Sequence, residues 1–389
     1  MDARYPGTRA APRQGGGPAA GGLVAGALKA TFLVTAPPDR SPGQRFRAEQ
    51  WLKLLPEGAV DARVLALFNE AEYHRLHRPG GTARKAVDNL VALGRRAAQV
   101  VQAQRADVVY LFREAFILGP AFFEPLLERR VPVVFDFDDA IWLLEASEAN
   151  AWVARHLKVP GKVDGIIARA TTTTVGNDYL ADYARRSSDR VHVIPTTLDV
   201  ERYCPQPREP NDLVRIGWSG SPTTSRYLGL IERPLRRALS ELPVELVVTG
   251  DPGFALPGAE RVRVLAWDPA TEIAEVGAFD IGLMPLPDDP WSRGKCGFKA
   301  LLYMSLGVTP VVSPVGVNTE IVADGESGVL ADSEDQWFTA LRSLVEDADL
   351  RRRLGAAGRK TVVERYSGNV WAPRFLEVLQ EAASRRMGD

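Results

Sequence analysis

Residues 280–312 read DIGLMPLPDDPWSRGKCGFKALLYMSLGVTPVV. Ile281–Met284 is a short apolar run closed by Pro285, and Leu286–Gly294 is polar and proline-bearing. Phe298–Leu306 then repeats its apolar residues at helical spacing, Gly307 stops it, and Thr309–Val312 is apolar again. Strand, loop, helix and strand in that order make a parallel unit whose strands are buried on both faces, so they read as unbroken apolar runs. Next come SPVGVNTEIV at Ser313–Val322 and DGESGVLA at Asp324–Ala331. Gly316 with Asn318 forms a glycine-bearing turn entering a helix, where free N–H groups and the positive dipole end suit a phosphate. Lys295 and Lys299 lie four apart and share a face if the helix has begun by then. Two ammonium groups beside such a terminus would hold a diphosphate without a metal.

Working outward, the same alternation fills the chain. Strands are expected at Thr31–Thr35, Arg63–Leu67, Val108–Phe112, Val131–Phe135, Thr172–Val175 and Val191–Ile194. After a polar stretch holding Pro205, Pro207 and Pro210 they resume at Val214–Gly217, Glu245–Thr249 and Arg261–Leu265. Helical patterns lie between them, among them Ala83–Gln104, Thr223–Glu241 and Glu334–Glu346. The fold class is α/β: two Rossmann-like doubly wound parallel-sheet domains facing a central cleft, with ligands outside the carboxyl ends of the strands. The expected division is a leader over 1–27, a first domain over 28–200, a linker over 201–212 and a second domain over 213–366. A terminal helix over 367–389 is expected to pack back on the first domain.

At 389 residues two domains are the natural prior, and a net charge of −1 gives no global field for nucleic acid. Cys204 and Cys296 fit no metal-ligand or disulfide pattern, which suits a reducing cytoplasm. Arg4, Arg9 and Arg13 precede the apolar run Leu23–Ala36, but Lys29 interrupts it, and the reading as a first buried strand prevails over a signal peptide. No segment approaches the ~20 apolar residues of a membrane span.

Two further stretches carry chemistry. In IGWSGSPTTSRYL at Ile216–Leu228, a strand runs into a turn whose Ser219, Gly220, Ser221 and Thr223 would bind phosphate oxygens, the alternative being plain capping of the next helix by Thr223 or Thr224. In VVFDFDDAIW at Val133–Trp142, three acids stand at the carboxyl end of a buried strand, costly unless solvated, paired or functional. Asp139 capping the next helix is the structural alternative for one of them.

As a compound pattern, the strand ending in proline, the lysine-bearing helix ending YMSLGVTPVV, and the two glycine motifs after it resemble the donor-binding half of GT-B glycosyltransferases. The likeness is to the retaining family 4 type, also called glycosyltransferase group 1. Relatives usually carry two glutamates eight apart, where this chain has Gly294 and Leu302, so it resembles a lysine-bearing subgroup lacking them.

The resemblance implies transfer of a sugar from a nucleotide diphosphate sugar, with retention, no metal and no cofactor. It implies Arg226 and Lys295 or Lys299 on the departing diphosphate, and Asp138 or Asp139 on the acceptor hydroxyl. It also implies Arg45, in the loop Pro37–Arg47, over the cleft against donor phosphates or an anionic acceptor. Polysaccharide, glycolipid and small natural product are all open as acceptors. Some relatives seat a basic helix on anionic membranes, and Ala83–Gln104, with Arg84, Lys85, Arg95 and Arg96, makes peripheral contact at the inner membrane face an open expectation. Three other readings stand beside this one. Asp136 and Asp138 would be nucleophile and acid/base of a metal-dependent phosphohydrolase of the haloacid-dehalogenase type, or a DxD would hold a metal-bound donor. A non-catalytic partner subunit would also account for the missing glutamates.

Overall fold

A computed structural model of the chain describes residues 26–78, 80–143, 159, 161–207 and 211–385. All but the last two residues of the expected leader, and 208–210 of the expected linker, lie outside the described residues.

Among the described residues, twelve strands form two six-stranded sheets in which every pair is parallel. The first holds β1 (Leu28–Val34), β2 (Val60–Ala66), β3 (Val108–Phe112), β4 (Val133–Phe137), β5 (Thr172–Val175) and β6 (Val191–Val193), in the order β2-β1-β3-β4-β5-β6. The second holds β7 (Val214–Ser219), β8 (Val244–Thr249), β9 (Val262–Leu265), β10 (Ile281–Met284), β11 (Thr309–Val312) and β12 (Val329–Leu330), in the order β12-β11-β10-β7-β8-β9. Strand order reverses between β1 and β3 in one sheet and between β7 and β10 in the other. A crevice opens at each reversal because successive connections leave on opposite sides. β3, β4, β10 and β11 are buried along their whole length, as their mostly apolar sequences require, with Asp136 the one charged residue among them.

Four helices matter most to the site: α1 (Thr82–Ala103), α2 (Phe298–Ser305), α3 (Ala348–Arg365) and α4 (Gly368–Ser384). α3 carries Arg359, which donates to the carbonyls of Val200, Tyr203 and Ser305 at 2.6, 2.6 and 2.9 Å and so pins the segment joining the sheets. Ser367 caps α4 by accepting from the Val370 N–H. α4 lies on the first sheet, where Phe375 stacks on Trp51 at 4.6 Å and is buried with Phe32 and Tyr110.

Three local differences from the sequence reading have physical causes. β4 runs two residues further than the expected Val131–Phe135, which puts Asp136 inside the strand. The expected helix Thr223–Glu241 breaks into Pro222–Ser225, a 3-10 turn at Arg226–Ile231 and a helix at Glu232–Glu241. Pro234 explains the last break, since its ring would clash with the Leu230 carbonyl in a continuous helix. α2 begins only at Phe298, with Gly297 as its N-cap, so Lys295 lies in the preceding turn and not on a shared helix face with Lys299.

Candidate active site

The carboxyl ends of the two sheets face a cavity of about 470 Å³. Gly43, Arg113, Asp138 and Asp139 line it from the first lobe; Ser219, Gly220, Ser221, Lys295 and Lys299 line it from the second. Gly43 and Lys299, 256 positions apart in the chain, thus share one space because both sheets present strand ends to it.

The first lobe supplies acids already held by cations. The Arg113 guanidinium donates to Asp138 Oδ1 from Nε at 2.9 Å and from Nη2 at 2.6 Å, and Nη2 also reaches Asp139 Oδ2 at 2.7 Å. Burial works against the Arg113 charge, but Asp138 and then Asp139 outweigh it, and its pKa lies above the ordinary arginine value. The other Asp139 oxygen lies 3.8 Å from Lys295 Nζ across the cleft. Asp136 faces the protein interior instead. Fully buried, it accepts from Arg47 Nε at 3.1 Å, pairs with Arg47 Nη2, and accepts from Thr174 Oγ1 at 2.6 Å. A carboxylate so enclosed cannot serve as a phosphatase nucleophile. Among the described residues, no group of three or more His, Cys, Asp and Glu is placed to hold a metal ion. Neither Arg47 nor Arg113 follows from sequence reasoning; its one signal was that buried acids demand partners.

The second lobe supplies amines and main chain. Tyr303 fixes the end of β7: its hydroxyl donates to the Leu283 carbonyl and accepts from the Ser219 N–H, each at 3.1 Å. At Gly220 an added β-carbon would lie 2.7 Å from the Trp218 ring and 2.8 Å from Lys299 Cε, so glycine lets the amine approach the turn. Lys299 Nζ sits 5.4 Å from the centre of the buried Trp218 ring. Burial first, then Lys295, pushes the Lys299 ammonium down to about 7, with Asp139 opposing.

Several expected site residues lie elsewhere. Arg226 is exposed beside Tyr227 and lines a separate surface pocket with Asp251 and Phe254, because the chain turns there from Pro222–Ser225 into the 3-10 turn. Arg45 is 4% exposed and spent on the Glu272 carboxylate and the Tyr203 hydroxyl, a pairing its burial demands. Thr223 does not line the cavity; its hydroxyl lies 2.7 Å from that of Ser221. Ser221, rather than Thr223 or Thr224, is the N-cap of Pro222–Ser225 and makes no side-chain capping bond, so the hydroxyl cap expected there is not formed. Gly316, at φ +55, packs on the Arg293 main chain. Asn318 is buried and donates to the Ser313 carbonyl at 3.0 Å. Neither lines the cavity.

The missing glutamates have a steric counterpart. Leu302 is buried in the apolar core, and an added β-carbon at Gly294 would lie 2.8 Å from Ala140 Cβ of the first lobe. Around it the lobes touch. Asn177 Nδ2 donates to the Lys295 carbonyl at 3.0 Å, and Cys296 Sγ donates to the Asp138 carbonyl at 3.0 Å. An added β-carbon at Gly176 would lie 2.1 Å from that sulfur.

Residues 291–361 match the family profile described as Glycosyl transferases group 1. The chain is 28% identical over 249 residues to D-inositol 3-phosphate glycosyltransferase of Stackebrandtia nassauensis, covering 56% of this chain and 55% of that one. It is 26% identical over 272 residues to alpha-maltose-1-phosphate synthase of Mycolicibacterium smegmatis, covering 61% and 67%. The chain thus spans about half the length of the first of these relatives. Among solved structures, sucrose-phosphate synthase of Thermosynechococcus elongatus superposes with a TM-score of 0.69 at 14% identity, covering 92% of this chain and 100% of that one. Anabaena HepE in complex with UDP-glucose superposes at 0.58 and 14%, covering 93% and 100%. The matched segment contains α2, β11 and the turn that carries Lys295: residues 291–361 are similar to the group 1 glycosyltransferases, and both sheets adopt the GT-B arrangement.

Proposed function

We propose that the protein transfers a sugar from a nucleotide diphosphate donor to an acceptor hydroxyl, with retention at the anomeric carbon and without a metal. One observation carries the reading: Lys295 and Lys299 face Asp138 and Asp139 across a single cavity between the lobes. Cleavage of the anomeric C–O bond passes through an oxocarbenium-like state, and negative charge gathers on the departing diphosphate. Lys295 and Lys299 are set to stabilise that charge before the reaction begins. Asp138 and Asp139 orient the incoming hydroxyl or accept its proton. Retention follows from attack on the face the nucleotide leaves.

The test is a thermal-shift panel of UDP, GDP, ADP and their sugars, followed by nucleotide release with candidate acceptors, an inositol phosphate among them in view of the relative. A true donor at a hundred times its Kd raises stability by about 2.7 kcal/mol. Turnover is expected to survive excess EDTA; strong inhibition would favour a metal-held donor. Nucleotide binding with no sugar consumed would instead support a non-catalytic subunit. The buried Arg47 pairing of Asp136 leaves the phosphohydrolase reading without support.

Peripheral membrane contact is part of the proposal. α1 leaves Val87, Leu90, Val91 and Val101 exposed, with Arg84 exposed on the same helix. Arg95 and Arg96 turn inward, to Glu72 and to the Val34 carbonyl. Among the described residues, no helix is long and apolar enough to cross a membrane. Sedimentation with anionic vesicles that is lost in Leu90→Glu would bear this contact out, and equal sedimentation of both proteins would count against it.

A further inference from the structure

Arg113 is the first residue after β3, and its backbone is left-handed, with φ +58. A side chain that carries a β-carbon disfavours that region, and one is kept there only where the surroundings over-determine it. Its N–H donates to the Asp136 carbonyl of the neighbouring strand at 2.7 Å, which continues the sheet ladder by one step. Glycine would adopt this backbone without strain. The residue present instead is arginine, and its guanidinium joins both cleft acids.

The surrounding contacts leave this fork one geometry. Nε and Nη2 both meet Asp138 Oδ1, so the position of that oxygen is set, and the guanidinium lies 5.2 Å from the Phe112 ring centre. Asp138 Oδ2 then faces Gly43, where an added β-carbon would come within 2.6 Å. For Asp139, Arg113 takes Oδ2 and leaves Oδ1 toward Lys295. Each acid therefore keeps one oxygen on the arginine and turns the other toward the space between the lobes or the loop over it.

We propose that Arg113 is the positioning residue of the acceptor side: one guanidinium, held on a left-handed backbone, fixes which oxygens of Asp138 and Asp139 meet the incoming hydroxyl. This rests on the transferase reading above. Arg113 acts through the two acids and not on the donor, so its loss separates acceptor use from donor binding. A lysine there keeps the charge but not the planar fork, and a glycine removes the fork while relieving the backbone.

The experiment compares the wild-type protein with Arg113→Gly and Arg113→Lys in two measurements. The first is the melting temperature with and without UDP. The second is UDP release from UDP-glucose, or from whichever donor the panel selects, with the acceptor it finds; water serves as acceptor if none is found. The expected result is that both variants keep the UDP-induced shift and that donor KM is unchanged. Turnover at saturating donor falls by about tenfold to a hundredfold in both, with acceptor KM raised wherever an acceptor is in hand. Wild-type turnover in Arg113→Gly overturns the proposal. So does a lowered melting temperature with loss of the UDP shift, which marks a structural ion cluster, and so does full activity in Arg113→Lys, which marks a simple need for charge. If UDP fails to stabilise even the wild type and no donor is consumed, the transferase reading falls, and this one with it.

Discussion

Lys299 loses its proton near 7, whereas an unburied lysine keeps it to 10.5. Between those values the unfolded chain binds more protons than the folded one. The charge therefore costs stability below about 7, and the cost fades as pH rises toward 10.5. A bound diphosphate reverses the balance, because it favours the ammonium. Binding should then take up a proton above pH 7, and UDP affinity should weaken as pH rises, approaching about tenfold per pH unit. Titration calorimetry in buffers of different ionisation enthalpy reads this directly, and Lys299→Arg should flatten the dependence. A pH-independent affinity in the wild type would remove Lys299 from the diphosphate. Arg226 carries the opposite expectation. It lines a surface pocket apart from the cleft, so Arg226→Ala should leave turnover within about twofold, in keeping with a surface change worth no more than ~0.5 kcal/mol. A drop of a hundredfold would restore the role that family likeness gave it.

At the scale of elements, the turn Gly294–Gly297 matters most, because it aims Lys295 and launches α2. Gly297 caps that helix at φ +68, and an added β-carbon would lie 2.2 Å from Ile321 Cδ1. Gly297→Ala should cost at least ~1–2 kcal/mol from the left-handed backbone alone, before the clash is counted, as urea denaturation would show. An unchanged midpoint would mean that the turn yields easily. This region was readable from sequence because its cues are local: an apolar run closed by proline, a helical period, a glycine stop. Asp136 was misplaced because its environment is not local. Arg47, 89 residues upstream, makes burial of that acid tolerable, and no spacing rule connects the two. The same holds for Arg113, whose left-handed backbone has no signature in an arginine codon. Thr223 and Asn318 failed as phosphate contacts for a different reason: the turns spend those side chains on themselves.

Across the whole molecule, the doubly wound pattern, the cleft and the facing strand ends followed from alternation and order, since parallel sheets leave few other topologies. The closeness of the lobes did not, because it depends on contacts each of which joins two distant segments. Arg359 holds the joining segment through the Val200 and Tyr203 carbonyls, and the Lys295 turn bonds to Asn177 and Asp138 of the other lobe. Cys296 stands in that seam. Burial first, then Asp138, raises the pKa of its thiol above the ordinary cysteine value. Alkylation needs the thiolate and an open path to the sulfur, so a maleimide should modify this side chain only while the halves stand apart. Its second-order labelling rate then becomes a clock for breathing of the protein, one that should tick more slowly if nucleotide holds the jaws together.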